Sequence, residues 1–193
     1  MKKRTVKPST YLSPVPAVLV TCQDKGGRPN ILTVAWTGVV CSDPPMVSIS
    51  LRPSRYSHGI IRESGEFVVN IPPVDIVRKV DQCGIVSGKR VEKFSEAGLT
   101  PVPAEKVSPP LIDECTICLE CRVREIVPLG VHDMFLGEIV ATHVAEEAFD
   151  SNGAIRMEII NPLGYSAVDR SYRAMGDALG SYGYSREEKP GRR

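Results

Sequence analysis

Residues 17 to 36 read Ala17-Val18-Leu19-Val20-Thr21-Cys22-Gln23, then Asp24-Lys25-Gly26-Gly27-Arg28-Pro29, then Asn30-Ile31-Leu32-Thr33-Val34-Ala35-Trp36. Two strand-length apolar runs flank a segment carrying the Gly and Pro punctuation of a turn. The stretch therefore predicts an antiparallel hairpin, Ala17–Cys22 against about Asn30–Trp36. Further strands are expected at Met46–Leu51, Phe67–Ile71, Cys115–Ile126 and Phe135–Ala145. A short helix at about Ser57–Ser64 should end at Gly65, because glycine accepts the left-handed conformation there. Pro73–Cys83 places Ile76, Val77 and Val80 on one helical face with Gly84 as a stop, and Gly88–Ala97 does the same with Val91, Phe94 and Gly98. Thr100–Pro110, rich in proline, reads as a surface connector. Six or more strands with short helical insertions and no regular βαβ alternation argue for a closed or nearly closed antiparallel barrel.

The chain has 193 residues, enough for one domain with a substantial core, expected over residues 1–161. After Pro162 the periodicity is lost to Gly, Ser, Tyr and Arg, so residues 162–193 are expected to form a Tyr- and Gly-rich arm, partly disordered. Lys+Arg 24 against Asp+Glu 23 leaves no net field to gather a polyanion, which argues against nucleic acid as a partner. No apolar run approaches the roughly 18 residues that span a bilayer. Lys7, Pro8 and polar neighbours stand where a signal peptide's apolar region would be, so a cytoplasmic protein is expected. Six unevenly spaced cysteines suit reduced thiols.

Cys115-Thr116-Ile117-Cys118-Leu119-Glu120-Cys121 has the C-x-x-C-x-x-C spacing of a metal site. Read as a strand, it puts Cys115 and Cys121 on one face and Cys118 on the other, and thiolates split that way do not close on one tetrahedral ion. No metal is expected. Gly84-Ile85-Val86-Ser87-Gly88-Lys89-Arg90 falls one residue short of a Walker A loop and carries Arg90 where Ser or Thr is needed. No G-x-G-x-x-G lies between a strand and a helix, which removes a Rossmann dinucleotide site. No Gly-x-Ser-x-Gly elbow supports a serine hydrolase.

Ser48-Ile49-Ser50-Leu51-Arg52-Pro53-Ser54-Arg55-Tyr56-Ser57-His58 carries the most information. A strand runs into a helix start through a turn holding two arginines and two serines. Helix N–H groups, hydroxyls and a two-pronged guanidinium are what a phosphate needs. The competing reading, equally weighted on this segment alone, is a solvated loop with Ser57 as helix N-cap.

Ordered segments elsewhere tip the balance. Asn30–Gly38, Ser42-Asp43-Pro44-Pro45-Met46-Val47-Ser48, Arg52–Ser57 and Gly65–Ile71 closely resemble the flavin reductase-like, FMN-binding split-barrel family. Cys83-Gly84, Ser87-Gly88, Lys93-Phe94 and Gly130–Glu138 keep its order and rough spacing. The match spans about Pro14 to Ala145 and the tyrosine-rich tail. The nearest-looking branch is flavoredoxin. Many monooxygenase-associated reductases carry Asp-His before the Phe-x-Gly-Glu strand, and here the order is His132-Asp133.

The resemblance implies a mainly β, six-stranded antiparallel split barrel, a homodimer, and one FMN per subunit at the dimer interface. It implies a flavin ring lined by the strand Thr33, Val34, Ala35, Trp36 and Thr37 and by Ser50 and Leu51, with Asn30 and Trp36 near the ring or ribityl chain. Arg52, Ser54, Ser57 and Lys93 are the candidates for the phosphate, with His58 and Lys89 as second choices. Cys83 and Ser87, from the matching pattern, complete the cofactor-binding set. His132 is the catalytic candidate, either orienting the donor or neutralising reduced flavin; a loop histidine bonded to backbone is the equal alternative. The implied activity is electron transfer from NAD(P)H to flavin, or through bound FMN to an acceptor. The alternative is an FMN electron carrier without nicotinamide reductase activity, serving a redox protein partner.

Overall fold

A computed structural model describes residues 1–186 of the chain. The strands are β1 (Val15–Pro16), β2 (Val18–Gln23), β3 (Pro29–Val34), β4 (Thr37–Ser42), β5 (Pro45–Leu51), β6 (Glu66–Ile71), β7 (Pro101–Val102), β8 (Leu111–Ile112), β9 (Ile117–Pro128), β10 (Asp133–Val144), β11 (Leu163–Ser166) and β12 (Ser171–Ala174). The helices are α1 (Tyr56–Ser64), α2 (Val77–Ile85), α3 (Lys93–Ala97) and α4 (Met157–Ile160). The main sheet is antiparallel throughout, in the order β3-β2-β6-β9-β10-β5-β4.

That order dictates closure. β3 and β4 stand at opposite edges of the sheet, yet only Ala35 and Trp36 separate them in the chain. Consecutive Cα atoms are about 3.8 Å apart, so Val34 and Thr37 lie within about 11 Å of each other. In a flat seven-stranded sheet the edge strands would be about 29 Å apart, at about 4.8 Å per strand. The sheet must curl until its edges meet, which is the mainly β split barrel, and residues 35–36 are the stitch across its seam. Ser50 N–H donates to the Trp36 carbonyl at 2.8 Å and fastens that stitch to β5.

Alternation along the strands divides the core in two. Val18, Val20 and Cys22 of β2, Leu32 and Val34 of β3, Ile49 and Leu51 of β5, Phe67 and Val69 of β6, Cys121 of β9 and Phe135 of β10 fill the barrel, with Ile60 and Ile61 of α1 among them. The other face of the same strands offers Leu19, Ile31, Val68 and Cys118 to Val80 and Cys83 of α2 and Phe94 and Ala97 of α3. β2 is buried on both faces for this reason, and so reads as a continuous apolar run.

The 17–36 hairpin, the strands at 46–51 and 67–71, and the helix ended by a left-handed Gly65 (φ 71°) match expectation. The main sheet also holds β4, not foreseen, making seven strands. α2 begins after a 3-10 turn at Val74–Ile76 and passes through Gly84 to Ile85, so Gly84 is not its stop. The helix expected over 88–97 is only α3, because the Glu92 carboxylate accepts from Phe94 and Ser95 N–H and caps the helix there. The helix α1 is N-capped by Arg55 rather than Ser57, and no side chain bonds its first turn. β11 and β12 lie beyond residue 161, in the segment expected as an arm. β11 pairs with β1, and buried Leu163 joins the outer core. Residues 187–193 of that segment fall outside the described residues.

The cysteines need one correction. Cys115 precedes β9, in a turn where its N–H donates to the Ile112 carbonyl, so strand alternation does not govern it. It packs in the same outer cluster as Cys118, while Cys121 points into the barrel. Burial pushes the thiols of Cys118 and Cys121 up to about 11 and about 12, and raises Cys115 further, so all three stay protonated near neutrality. Among the described residues no three His, Cys, Asp or Glu side chains converge as a metal set. Cys118→Ser is expected to leave the content of the flavin that the resemblance implies unchanged, because Cys118 packs in the outer cluster and not in the barrel. A visible spectrum of the variant checks this.

Candidate functional site

Two cavities meet at the barrel seam. The first, of about 480 Å³, is walled by the stitch Thr33–Trp36, by Ser50–Arg52 at the end of β5, and by His132. The second, of about 260 Å³, is walled by Asn30, Arg52, Ser54, Ser57, Gly88 and Lys93. Leu32, Arg52 and Arg55 line both, so the two form one groove with unlike ends.

The second cavity is built for an anion. It lies at the start of α1, a nine-residue helix whose first turn no side chain caps, and the helix dipole adds positive potential there. Its charged walls are Arg52, Arg55 and Lys93, with no carboxylate among them. Lys93 is buried, and Nζ donates to the carbonyls of Ile31 (2.8 Å) and Cys83 (2.6 Å). An ammonium has three donors, so one is left for the cavity. Burial first, and the nearby Arg55 charge after it, lower the Lys93 pKa, and an anion bound here would relieve that strain. Asn30 Nδ2 donates to Ser57 Oγ at 2.7 Å, orienting the buried hydroxyl. Gly88 closes the wall at close quarters, since a β-carbon there would lie 2.0 Å from Asn30 Oδ1.

The first cavity is larger, and Asp81 stands among its walls beside Arg52 and Arg55. Trp36, 42% exposed, stands parallel to the His132 ring with centroids 6.3 Å apart. Burial, then the Arg52 charge, holds His132 below the ordinary imidazole pKa, so it is neutral at neutral pH. Tyr165 of β11 and Tyr172 of β12 meet edge to face at 5.6 Å, and Tyr172 Oη lies 3.2 Å from Asp81 Oδ1. Both tyrosines line the cavity.

The model of the flavin reductase like domain matches residues 10–175. The chain belongs to the flavin reductase-like family. An uncharacterized relative from Archaeoglobus fulgidus is 35% identical over 144 residues, 74% of this chain and 80% of the relative. Among solved structures, flavoredoxin of Desulfovibrio vulgaris (Miyazaki F) superposes with a TM-score of 0.90 at 34% identity, covering 96% of this chain and 100% of that one. Flavoredoxin from Methanosarcina acetivorans gives 0.86 at 31% identity, covering 97% and 98%.

In this flavin reductase-like chain the groove gathers most of the candidates named from sequence. Thr33, Val34, Ala35, Trp36, Ser50, Leu51 and His132 wall the first cavity; Asn30, Ser54, Ser57, Ser87 and Lys93 wall the second; Arg52 walls both. Four lie elsewhere. Thr37 donates from Oγ1 to the Ser48 carbonyl, inside the β4–β5 pair. His58 is buried beneath α1, with Nε2 2.8 Å from Asp133 Oδ2 and its ring edge against Phe135, so it faces the barrel and not the second cavity. Cys83 turns into the outer core, and only its carbonyl reaches Lys93. Lys89 is exposed and walls neither cavity. Sequence reasoning missed Tyr165, Tyr172, Asp81 and Leu32. The one signal for the tyrosines was their place at matching register in two short apolar-aromatic runs either side of Asp169-Arg170.

Proposed function

We propose that this chain holds FMN in the joined cavities and serves as an oxidoreductase that moves electrons from NAD(P)H to flavin, or through FMN to an acceptor. The observation that carries this reading is the unlike pair of ends on one groove: a cationic pocket at an uncapped helix start, opening into a larger cavity walled by strand residues, indole and imidazole. Arg52, Ser54, Ser57 and Lys93 would hold the phosphate, and residues 33–36 with Ser50 and Leu51 would line the ring. Arg55 joins them, since it walls both cavities. Gly88 fits the same reading, as a β-carbon there would push on Asn30 and Tyr56, two walls of the pocket.

Bound FMN supplies the hard chemistry, taking up a hydride equivalent from a nicotinamide or exchanging electrons singly. The protein's part is placement. Trp36 and His132 stack beside each other in the wall of the first cavity, and a neutral His132 offers a hydrogen bond to a donor without adding a charge to repel it. Arg52 spans both ends and supplies positive charge to a ligand that gains negative charge. His132→Ala is expected to slow reduction by nicotinamide about tenfold or more while changing FMN affinity little. Stopped-flow reduction and an FMN titration of the same preparation check it, and equal loss of both would move His132 into the flavin site itself.

The overall reading is tested by the visible spectrum of the purified protein and its anaerobic titration with NADH and NADPH. A yellow protein reduced by either supports the enzyme. A yellow protein reduced by neither supports the electron carrier with a protein partner, a reading favoured by the likeness to two flavoredoxins. A colourless protein that takes up no FMN would sink both.

We also propose a homodimer. β4 is a sheet-edge strand with Val39 79% exposed and Val40 beside it exposed as well, and edge strands that show apolar side chains are commonly covered. Light scattering is expected to give twice the monomer mass, and a monomer that retains flavin would count against a site shared between subunits.

A further inference from the structure

Beside the groove lies a third cavity, of about 480 Å³, that the flavin reading leaves unused. It is roofed by residues 8–11 and shares two walls, Trp36 and Tyr165, with the first cavity of the groove. Its remaining aromatic wall is Tyr11, and its one charged wall is Arg170. Three aromatic rings around one space favour a planar, polarisable guest, and the volume suits a small molecule.

Arg170 gives the guest its charge. Its neighbour Asp169 is already engaged, with Oδ2 2.5 Å from Arg173 Nη2 and Oδ1 2.7 Å from Ser171 Oγ. Among the described residues Arg170 enters no ion pair, and no carboxylate lines the cavity. Its backbone is left-handed, φ 56°, in the turn that joins β11 to β12. An exposed guanidinium that lines an aromatic space, with no ion pair among the described residues, pairs best with a carboxylate, which takes two of its N–H groups at once.

We propose that this cavity is a binding subsite for a planar aromatic monocarboxylate, its ring between Trp36, Tyr11 and Tyr165 and its carboxylate on Arg170. The subsite adjoins the cavity proposed for FMN, and its ligand reaches the wall they share. The geometry owes nothing to the flavin assignment.

Calorimetric titration of the full-length protein as purified, with benzoate, cyclohexanecarboxylate and benzyl alcohol, tests it. Benzoate is expected to bind saturably and about tenfold or more tighter than benzyl alcohol, with cyclohexanecarboxylate in between. Arg170→Asn, chosen because asparagine tolerates the left-handed backbone, is expected to weaken benzoate about tenfold with FMN content and melting temperature unchanged. Arg170→Gly is expected to behave the same way, which guards against a folding defect peculiar to asparagine. No saturable benzoate binding, or equal benzoate affinity in the wild type and both Arg170 variants, or equal affinity for benzoate and benzyl alcohol, would overturn the proposal. A preparation that takes up no FMN would fail the flavin reading alone and leave the benzoate comparison to be judged as stated.

Discussion

Glu120→Gln is expected to cost the fold about 3–5 kcal/mol, the range for stripping one partner from a buried charged network. Glu120 is fully buried, on the face of β9 opposite the barrel interior. Its carboxylate accepts the N–H groups of Glu105 (2.8 Å), Lys106 (2.6 Å) and Val107 (3.1 Å), and lies 2.6 Å from His143 Nε2 of β10. One side chain thus pins the connector between β7 and β8 onto the sheet. A glutamine keeps the shape but turns one oxygen into an N–H₂ facing backbone N–H donors, leaving donors unpaired in a dry place. Burial by itself would raise the Glu120 pKa. The N–H groups of Glu105 and Lys106 and the His143 ring outweigh it, so the net shift is downward. A depressed folded pKa stabilises fully above the unfolded value of about 4.3 and is lost as pH falls through the folded one. Wild type and Glu120→Gln should therefore differ by a constant amount near neutrality and converge in acid. Urea denaturation at several pH values checks both size and sign; a loss below about 1 kcal/mol would mean the connector is held by other groups, such as Glu66 on Ser108 N–H.

What could be read in advance follows from how local the cause is. The 17–36 hairpin was legible because its turn residues and both apolar runs are contiguous. β4 was not, because Thr37–Ser42 places Val39 and Val40 side by side and both exposed, so no alternation marks it; only the register with β5 makes it a strand. Helix α3 was over-extended because a run of apolar residues at helical spacing does not show where the Glu92 cap falls. In the site, Arg52, Ser54 and Ser57 were legible as one turn from strand to helix. The side that His58 faces, one residue further along α1, was not legible, since its partner Asp133 lies 75 residues away. Tyr165 reaches the groove only because β11 pairs with Val15 and Pro16, a contact that spans nearly the whole chain. Glu120 carried no signal at all, as most of its partners are backbone N–H groups that any sequence supplies.

Arg52→Ala is expected to weaken FMN about 10- to 100-fold while leaving the much weaker riboflavin affinity nearly unchanged. Charge is the cause. A phosphate taken partly out of water needs charge-assisted partners, each worth about 1.5–3 kcal/mol, and 1.4 kcal/mol is about tenfold in affinity. Arg52 leaves β5 directly after Ser50 and Leu51 and reaches the pocket where Ser54, Ser57, Lys93 and the start of α1 converge. Arg55 competes for the role, yet its Nη1 lies 3.5 Å from the Gly84 carbonyl, a contact that ties part of its guanidinium to α2. Arg52 also walls the first cavity, where its charge lowers the pKa of His132 after burial does. Removing that charge should raise the His132 pKa toward its ordinary value, a change measurable by NMR in flavin-free protein and independent of any ligand. Arg52→Lys should restore part of the FMN affinity, because an ammonium keeps the charge but not the two-pronged geometry. Dissociation constants for FMN and riboflavin in wild type and both variants decide the assignment. Equal loss for the two ligands would mean that Arg52 supports the ring or the fold, and that the phosphate rests on Arg55 and Lys93.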